Sequence, residues 1–564
     1  MKIVTVAQMV QIEQAADAAG HSYDAMMELA GRGVAASILR HMQPWETTGS
    51  VLVLVGPGNN GGDGLVAARY LREWDHGHPV SVYCWKRTPG DDANYAAVER
   101  LGIPVVHAED DPQFTQLADL ARDADVIVDA LLGTGVSRPI GGALADLLAA
   151  LHRNIGKRAG QQIQVVADAK ATNAIDVRTA ALAVQPAADY DFLRKPPSAS
   201  ARLPQIIAVD CPSRLNCDTG ALDPAALPAD LTVTFANPKI GHFVVDGPGA
   251  CGRLEIADIG ADPHLADAVT LELATPAAVQ RLLPVRPADA HKGTFGKALV
   301  VAGSLNYTGA AHLSCAAAYR AGAGLVTAGV TPSIHPILAA GLAEVTWLLL
   351  PEHHGTLSLE AARPLSENLA GYAALLIGPG LTQEAEAVRF VREFLSASSA
   401  AIDIPLVLDA DALNALAQTE NWRDSLPANT ILTPHPGEMA RLCGWTTAEV
   451  RADRIGLARR KAAEWNAVVL LKGAHTVVAR PDGQATVLPF ANPALATAGS
   501  GDVLSGVIVG LLSQGVAPYD AALLGGYLHG LAGELARGDL GEAGVVAGDL
   551  VTRLPLAIRQ LRAA

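Results

Sequence analysis

Cysteine is scarce in this chain: six residues in 564, at positions 84, 211, 217, 251, 315 and 443, with no CxxC spacing among them. That scatter excludes a disulfide framework and predicts reduced thiols in a cytoplasmic protein, with Cys211 and Cys217 as small buried fillers. Charge is low as well. Only 18% of residues are charged, and the net charge is -15, which excludes a nucleic-acid surface built from clustered cations. A phosphate-bearing ligand is not excluded, because backbone N–H groups bind anions without any lysine. Long apolar runs are also missing. VLSGVIVGLLSQGV at 503–516 falls short of the roughly 20 residues of a membrane span. The opening MKIVTVAQMVQIEQAADAAG lacks the basic segment and apolar core of a signal peptide, so neither a membrane nor secretion is expected.

What is present is core material. Half of the residues are apolar, and the length exceeds one ordinary core, so two or three domains are expected. Short β-branched runs alternate with helix-length Ala/Leu-rich stretches: VLVLVG (51–56), VSVYCW (80–85), VIVDALLG (126–133) and QIIAVDCP (205–212), then KALVVAGS (297–304), ALLIGPG (374–380), PLVLDADAL (405–413), TILTPH (430–435) and VVLLKG (468–473). Apolar strands between helices predict parallel sheets covered on both faces, an α/β architecture. In such sheets ligands bind beyond the carboxyl ends of the strands, where this sequence places Gly, Asp, Asn and His. Residues about 154–204 break the rhythm and read as an irregular insertion. The stretch 255–275 reads as a boundary, with 261–275 as a linker.

GPGNNGGDG (56–64) follows the first strand and precedes the helical LVAARYLREW. Glycines permit positive φ and close ligand approach, and a helix N-terminus offers open N–H donors to an anion. A structural Gly-rich turn is the alternative, since the string is neither a P-loop nor GxGxxG. Asp129 and Asp210 follow two further strands, as caps or as parts of a shared crevice. TAGSGDVLSGVIVGLL (497–512) enters an almost wholly apolar helix, with Ser500, Gly501 and Asp502 at its head. There the helix dipole can stabilise a transferring phosphoryl group while Asp502 takes a proton from a hydroxyl. A plain N-cap is the alternative for Asp502, and a structural role for His435 in TPHPGE.

MELAGRG (27–33), NNGGDG (59–64), VDALLGTG…P (128–139), DCPSRLNCDTG (210–220) and TFANPKIG (234–241) together resemble the YjeF N-terminal family of NAD(P)H-hydrate epimerases. The resemblance covers 1–260 and implies a Rossmann-like three-layer α/β/α domain. It implies potassium on Asn60, Asp129 and Ser213, and substrate contacts from Asn59, Asn60, Gly61, Gly62 and Asp63. A second run of contacts is Gly133, Thr134, Gly135, Val136, Ser137, Arg138 and Pro139, with Asp210 as acid or base. Family members carry Gly where this chain has Arg214. If that position requires positive φ, Arg costs about 1 kcal/mol or more there.

HKGTFGKALVVAGS (291–304), NYTGAAHLSCAAAYRAGAGLVT (306–327), IGPGL (377–381), LDADALN (408–414), LTPHPGEMARL (432–442), LKGAHTVV (471–478) and the Asp502 segment resemble the ADP-dependent NAD(P)H-hydrate dehydratases. These are ribokinase-like α/β/α proteins, here spanning 276–564. The resemblance implies adenine-nucleotide contacts from Lys472, Gly473, Ala474, His475, Thr476, Ser500 and Gly501. It implies hydrated-dinucleotide contacts from Ala310, Gly380, His435 and Asp502, with Asp502 as catalytic base and magnesium arriving with ADP. Thr382 and Ser500 depart mildly from the usual residues. The expected function is therefore repair of hydrated NADH and NADPH. The alternative is a ribokinase-like vitamin-precursor kinase carrying a non-catalytic N-terminal ligand-binding module. Ala/Gly-rich packing makes a homo-oligomer plausible.

Overall fold

The structure is a computed structural model describing residues 1–42, 49–74, 78–90, 92–135, 140–155, 174–175, 204–398 and 402–564. Of the expected contacts, Val136, Ser137, Arg138 and Pro139 lie outside the described residues, as does nearly all of the insertion at 154–204. The chain divides into two compact units, Met1–Val269 and Thr270–Ala564. The stretch expected as a linker carries structure of its own, a 3-10 turn at Pro263–Ala266 and a strand at Leu271–Leu273.

The first unit is built on a sheet whose strands run in space Val105–His107, Val80–Cys84, Val51–Val55, Val126–Ala130, Gln205–Val209, Leu231–Phe235, Arg253–Ala257 and Ala174–Ile175. All neighbours are parallel except the last pair. Alternation along Val51–Val55 makes the layers. Val51, Val53 and Val55 enter one buried cluster with Ile38 and Leu65, and Leu52 and Leu54 enter the opposite one with Leu117 and Leu147. Strand order reverses between Val51–Val55 and Val126–Ala130, which opens a crevice at their carboxyl ends.

The second unit's ten-stranded sheet reverses order at Lys297–Val301, which lies between Leu325–Val330 and Ala374–Ile377. Its last strands, Val477–Ala479 and Ala485–Val487, turn antiparallel. The apolar helix Ser500–Ser513 lies on the strands Lys297–Val301 and Ala374–Ile377 and against the helix Thr308–Arg320. Small residues form that helix–helix seam: a Cβ on Gly506 would come 2.3 Å from the carbonyl oxygen of Ser314, and one on Gly510 2.6 Å from that of Ala318. The Ala/Gly-rich packing is thus used inside the unit. Gly506→Ala is expected to destabilise the protein by about 1–3 kcal/mol through overpacking, read as a lower urea midpoint with unchanged slope. An unchanged midpoint would mean that the two helices part without cost.

All nine strands expected from the sequence form. Several others were not anticipated, among them Leu231–Phe235 and Arg253–Ala257.

Candidate active sites

In the first unit NNGGDG is not a loop. The helix starts at Asn59 and runs to Trp74, so Asn60 to Gly64 form its buried opening turns. None of these glycines has positive φ; they are required by proximity. A Cβ on Gly61 would lie 2.0 Å from the carbonyl oxygen of Gly56, and one on Gly64 2.6 Å from the Ala130 side chain. The missing side chains let the helix head sit against the sheet at the crevice. Arg87, past the neighbouring strand, clamps the preceding turn by donating to the carbonyls of Gly56 at 3.1 Å and Gly58 at 2.8 Å. No sequence motif marks this arginine.

The three expected potassium ligands converge around Leu132. Asn60 Nδ2 donates to the Leu132 carbonyl at 3.2 Å, and the Leu132 amide donates to Ser213 Oγ at 2.9 Å. Ser213 Oγ and amide donate to the two oxygens of Asp129 at 2.6 and 2.8 Å. Asp129 is fully buried. Burial raises its pKa against the hydrogen bonds from Ser213 and Leu131, with no basic side chain among the causes. Gly133 lies against Asn60, while Thr134 and Gly135 stand toward solvent.

Asp210 ends the strand Gln205–Val209 with φ +63°, a left-handed conformation uncommon for a non-glycine residue. Its amide is tied to the Val233 carbonyl at 2.8 Å. Oδ1 accepts from Thr234 Oγ1 at 2.8 Å and from Lys239 Nζ at 2.5 Å. Burial works to raise the Asp210 pKa, but Lys239 and Thr234 outweigh it, and the net shift is downward. Asp63 moves the opposite way, well above its ordinary value, because of its own burial and the nearby charges of Asp210 and Glu13.

Arg214 has φ +83°, so the position does demand the left-handed region that family glycines supply. The chain keeps the loop through another contact. Arg214 Nη2 donates to Asp223 Oδ2 at 2.9 Å, and that carboxylate also accepts the Ile140 amide at 2.9 Å. Cys211 and Cys217 are buried here as expected, and all six thiols are free.

In the second unit Gly499 (φ +86°) turns the chain into the helix, placing Ser500, Gly501 and Asp502 in its first turn. Lys472 stands over that turn; a Cβ on Gly501 would meet its Nζ at 3.4 Å. Lys472 Nζ pairs with Asp409 Oδ1 at 2.8 Å and approaches Glu438 Oε2 at 3.7 Å. Ser505 Oγ also donates to Asp409. Burial, then the Asp409 charge, raise the Asp502 pKa to about 7, against the pull of Lys472. Asp409 and Glu438 sit inside quoted motifs, yet nothing in the sequence assigned them a role.

His435 caps the helix Pro436–Cys443, its Nδ1 accepting the Gly437 amide at 2.9 Å and the Glu438 amide at 3.3 Å. The ring stays half exposed, and its Nε2 lies 3.3 Å from Glu438 Oε1. Burial, then Lys472, lower its pKa, so the ring is neutral at pH 7.

Two of the expected nucleotide contacts have buried side chains. His475 is turned inward, 1% exposed, with its amide donating to the Phe490 carbonyl at 2.8 Å. The Ser500 hydroxyl is buried 3.0 Å from His529 Nε2, and its amide donates to the Thr497 carbonyl at 3.3 Å. Gly473 and Ala474 are exposed, and Thr476 Oγ1 closes their turn on Gly473. Arg454 holds the same turn through the carbonyls of Leu471, Lys472 and Ala474.

Ala310 and Gly380 meet: a Cβ on Gly380 would touch that of Ala310 at 2.7 Å. One helical turn beyond Ala310, Ser314 Oγ donates to the Asp502 carbonyl at 3.1 Å, which ties this pair to the helix head. Beside them a cavity of about 380 Å³ opens, with Ser304, Asn306, Thr356 and Thr382 in its wall. Ser304 Oγ there is buried with no hydrogen-bond partner among the described residues. Thr382 has φ +76°, which explains the usual glycine; its amide is held by Asp411 Oδ2 at 2.8 Å.

Comparison with known proteins fits both halves. The model of YjeF-related protein N-termini matches residues 23–177 and 196–241, and that of NAD(P)H-hydrate dehydratases matches 298–556. A bifunctional NAD(P)H-hydrate repair enzyme, Nnr, of Moorella thermoacetica is 40% identical over 571 residues, covering 100% of this chain and 97% of its own. The chain belongs to the bifunctional NAD(P)H-hydrate repair enzyme family. A Thermofilum pendens member is 35% identical over 100% of this chain and 97% of its own. Among solved structures, the ADP/ATP-dependent NAD(P)H-hydrate dehydratase of Bacillus subtilis, co-crystallised with ATP and magnesium, is similar at 33% identity and TM-score 0.46, covering 52% of this chain and all of its own. The YjeF-related match falls within the first unit and the NAD(P)H-hydrate dehydratase match within the second. No helix among the described residues is long and apolar enough to cross a membrane.

Proposed function

We propose that the enzyme interconverts the R and S hydrates of NADH and NADPH in its first unit and dehydrates the S form in its second, with ADP as phosphoryl donor. The observation that carries the second half is the head of the helix Ser500–Ser513. Lys472 lies over Gly501 beside a carboxylate whose pKa stands at about 7. Asp502 takes the proton of the C6 hydroxyl, and that oxygen attacks the terminal phosphoryl group of ADP. AMP departs while Lys472 and the first-turn amides hold the charge. Phosphate then leaves C6 as C5 gives up a proton, restoring the reduced nicotinamide. Ala310, Gly380 and the adjoining cavity receive the hydrated dinucleotide, and residues 472–476 receive the nucleotide. Among the described residues no three His, Cys, Asp or Glu side chains gather to hold a metal. Magnesium would arrive on the nucleotide phosphates and neutralise charge there.

In the first unit Asp63 and Asp210 form a complementary pair, the pKa of one carboxyl shifted up toward the acid's role and that of the other down toward the base's. Asp63 protonates the departing C6 hydroxyl, which leaves as water with the N1 electron pair behind it. Water added to the opposite face of the planar cation gives its proton to Asp210, and solvent resets the pair. Potassium fits the oxygens of Asn60, Asp129, Leu132 and Ser213, because Asp129 is a buried carboxyl with no basic side chain paired to it among the described residues. Bound there, it would supply that positive charge. The free thiols suit a cytoplasmic location.

The test is stereospecific. Purified protein receives R or S hydrate with ADP or ATP, and the returning absorbance of NADH is followed. No return from the S form would remove the dehydratase reading; R turnover no faster than spontaneous epimerisation would remove the epimerase.

A pH dependence follows from Asp502. Its pKa is raised to about 7, so below that it carries a proton and cannot accept one. Dehydration kcat/KM is expected to fall about tenfold per pH unit below 7 and to level off above it. A flat profile down to about pH 5 would place the base elsewhere.

A further inference from the structure

The carboxylate proposed as proton acceptor in the first unit does not stand alone. Lys239 is 1% exposed, a depth at which a lysine is found only with a partner. Its Nζ reaches Asp210 Oδ1 at 2.5 Å and Thr234 Oγ1 at 2.9 Å, and Thr234 Oγ1 in turn donates to the same Oδ1 at 2.8 Å. These three groups close a triangle on one carboxylate oxygen. Among the described residues, no side-chain hydrogen bond falls on Oδ2. The Asp210 side chain remains 14% exposed, at the end of its strand.

We propose that Lys239 is the positioning residue of the epimerase centre, its buried ammonium and Thr234 anchoring Oδ1 so that Oδ2 is the oxygen presented to the substrate's proton. The inference rests on Asp210 being the acceptor and adds what makes it one. Burial works to raise the pKa of this carboxyl, and the ammonium reverses that. The other charged and titratable groups facing the pair are Glu13 from the helix Val6–Ala18, Asp63 from the helix Asn59–Trp74, His242, and the thiols of Cys211 and Cys217. Glu13 and Asp63 oppose ionisation of Asp210, and His242 favours it. Lys239 supplies the dominant attraction.

The experiment uses the full chain and R-hydrate conversion across pH, with the uncatalysed rate subtracted. Lys239→Met is expected to lose at least about tenfold more kcat/KM near pH 6 than near pH 8.5, since its Asp210 ionises only as pH rises. Lys239→Arg keeps the wild-type profile at reduced kcat. Loss by one factor at every pH, or no loss, overturns the proposal. Should Lys239→Met fail to fold, the wild-type profile decides. An acid limb with its midpoint at about pH 6 or above overturns the proposal, and ionisation persisting below about pH 5 supports it. Asp210→Asn is assayed alongside. Conversion persisting in that variant removes Asp210 as acceptor, and the inference with it. Abolition combined with a pH-independent loss in Lys239→Met removes only the role of Lys239.

Discussion

Asp502→Asn is expected to lower dehydration kcat by about 10²- to 10⁴-fold, the range over which a positioned base contributes. Nucleotide Kd is expected to stay within about tenfold of wild type, because the carboxylate acts in the reaction step and not in holding phosphate. The electrostatics give a direction to that small change. Asp502 shares its surroundings with Asp409, Asp411 and Glu438, so removing its charge relieves repulsion and should tighten the nucleotide if it changes anything. The asparagine also keeps the shape of the first helical turn. Single-turnover rates and a nucleotide titration read the two quantities separately. A variant turning over at near the wild-type rate would return Asp502 to the role of a helix cap.

Asp210→Asn is expected to stop R-hydrate repair above the spontaneous rate while S-hydrate repair continues, a loss again of order 10²-fold or more in the first unit alone. An amide cannot take the proton, and Lys239 is left buried without its hydrogen-bonded carboxylate, a defect that typically costs about 3–5 kcal/mol. The variant therefore needs a thermal melt beside the assay. S-hydrate turnover serves as the internal control. Equal slowing on both epimers would mean a general loss of folded protein and not a missing acceptor. Failure on R alone, with the melt intact, isolates the chemistry.

Much of this was legible in the residues. Apolar runs such as VLVLVG could only be strands covered on both faces, and the acid and glycine residues that follow them had to emerge at the strand ends. The Asp502 helix was readable from a Gly-rich turn entering a purely apolar segment. Other features were not. NNGGDG reads as a loop because glycine has no helical preference, yet it is helix; Gly61 answers to the Gly56 carbonyl just before that helix, and Gly64 to the Ala130 side chain on a strand far along the chain. Arg87 lies in no motif, and the motifs that contain Asp409 and Lys239 give neither a role, since each acts on a partner brought close by the sheet. His475 was placed among the ligand contacts by its motif, and the turn points its ring inward.

The sequence by itself determined the layered α/β architecture, the two units and the strand ends from which chemistry emerges, because periodicity and turn residues act within a few positions of the chain. Only the tertiary structure decided the protonation states. Asp63, Asp210 and Asp502 are the same residue type, yet their pKa values move up, down and up. What separates them is burial and the charges delivered by Lys239, Asp409 and Lys472. Those charges come from other strand ends, and electrostatic energy depends on distance in space, which folding sets.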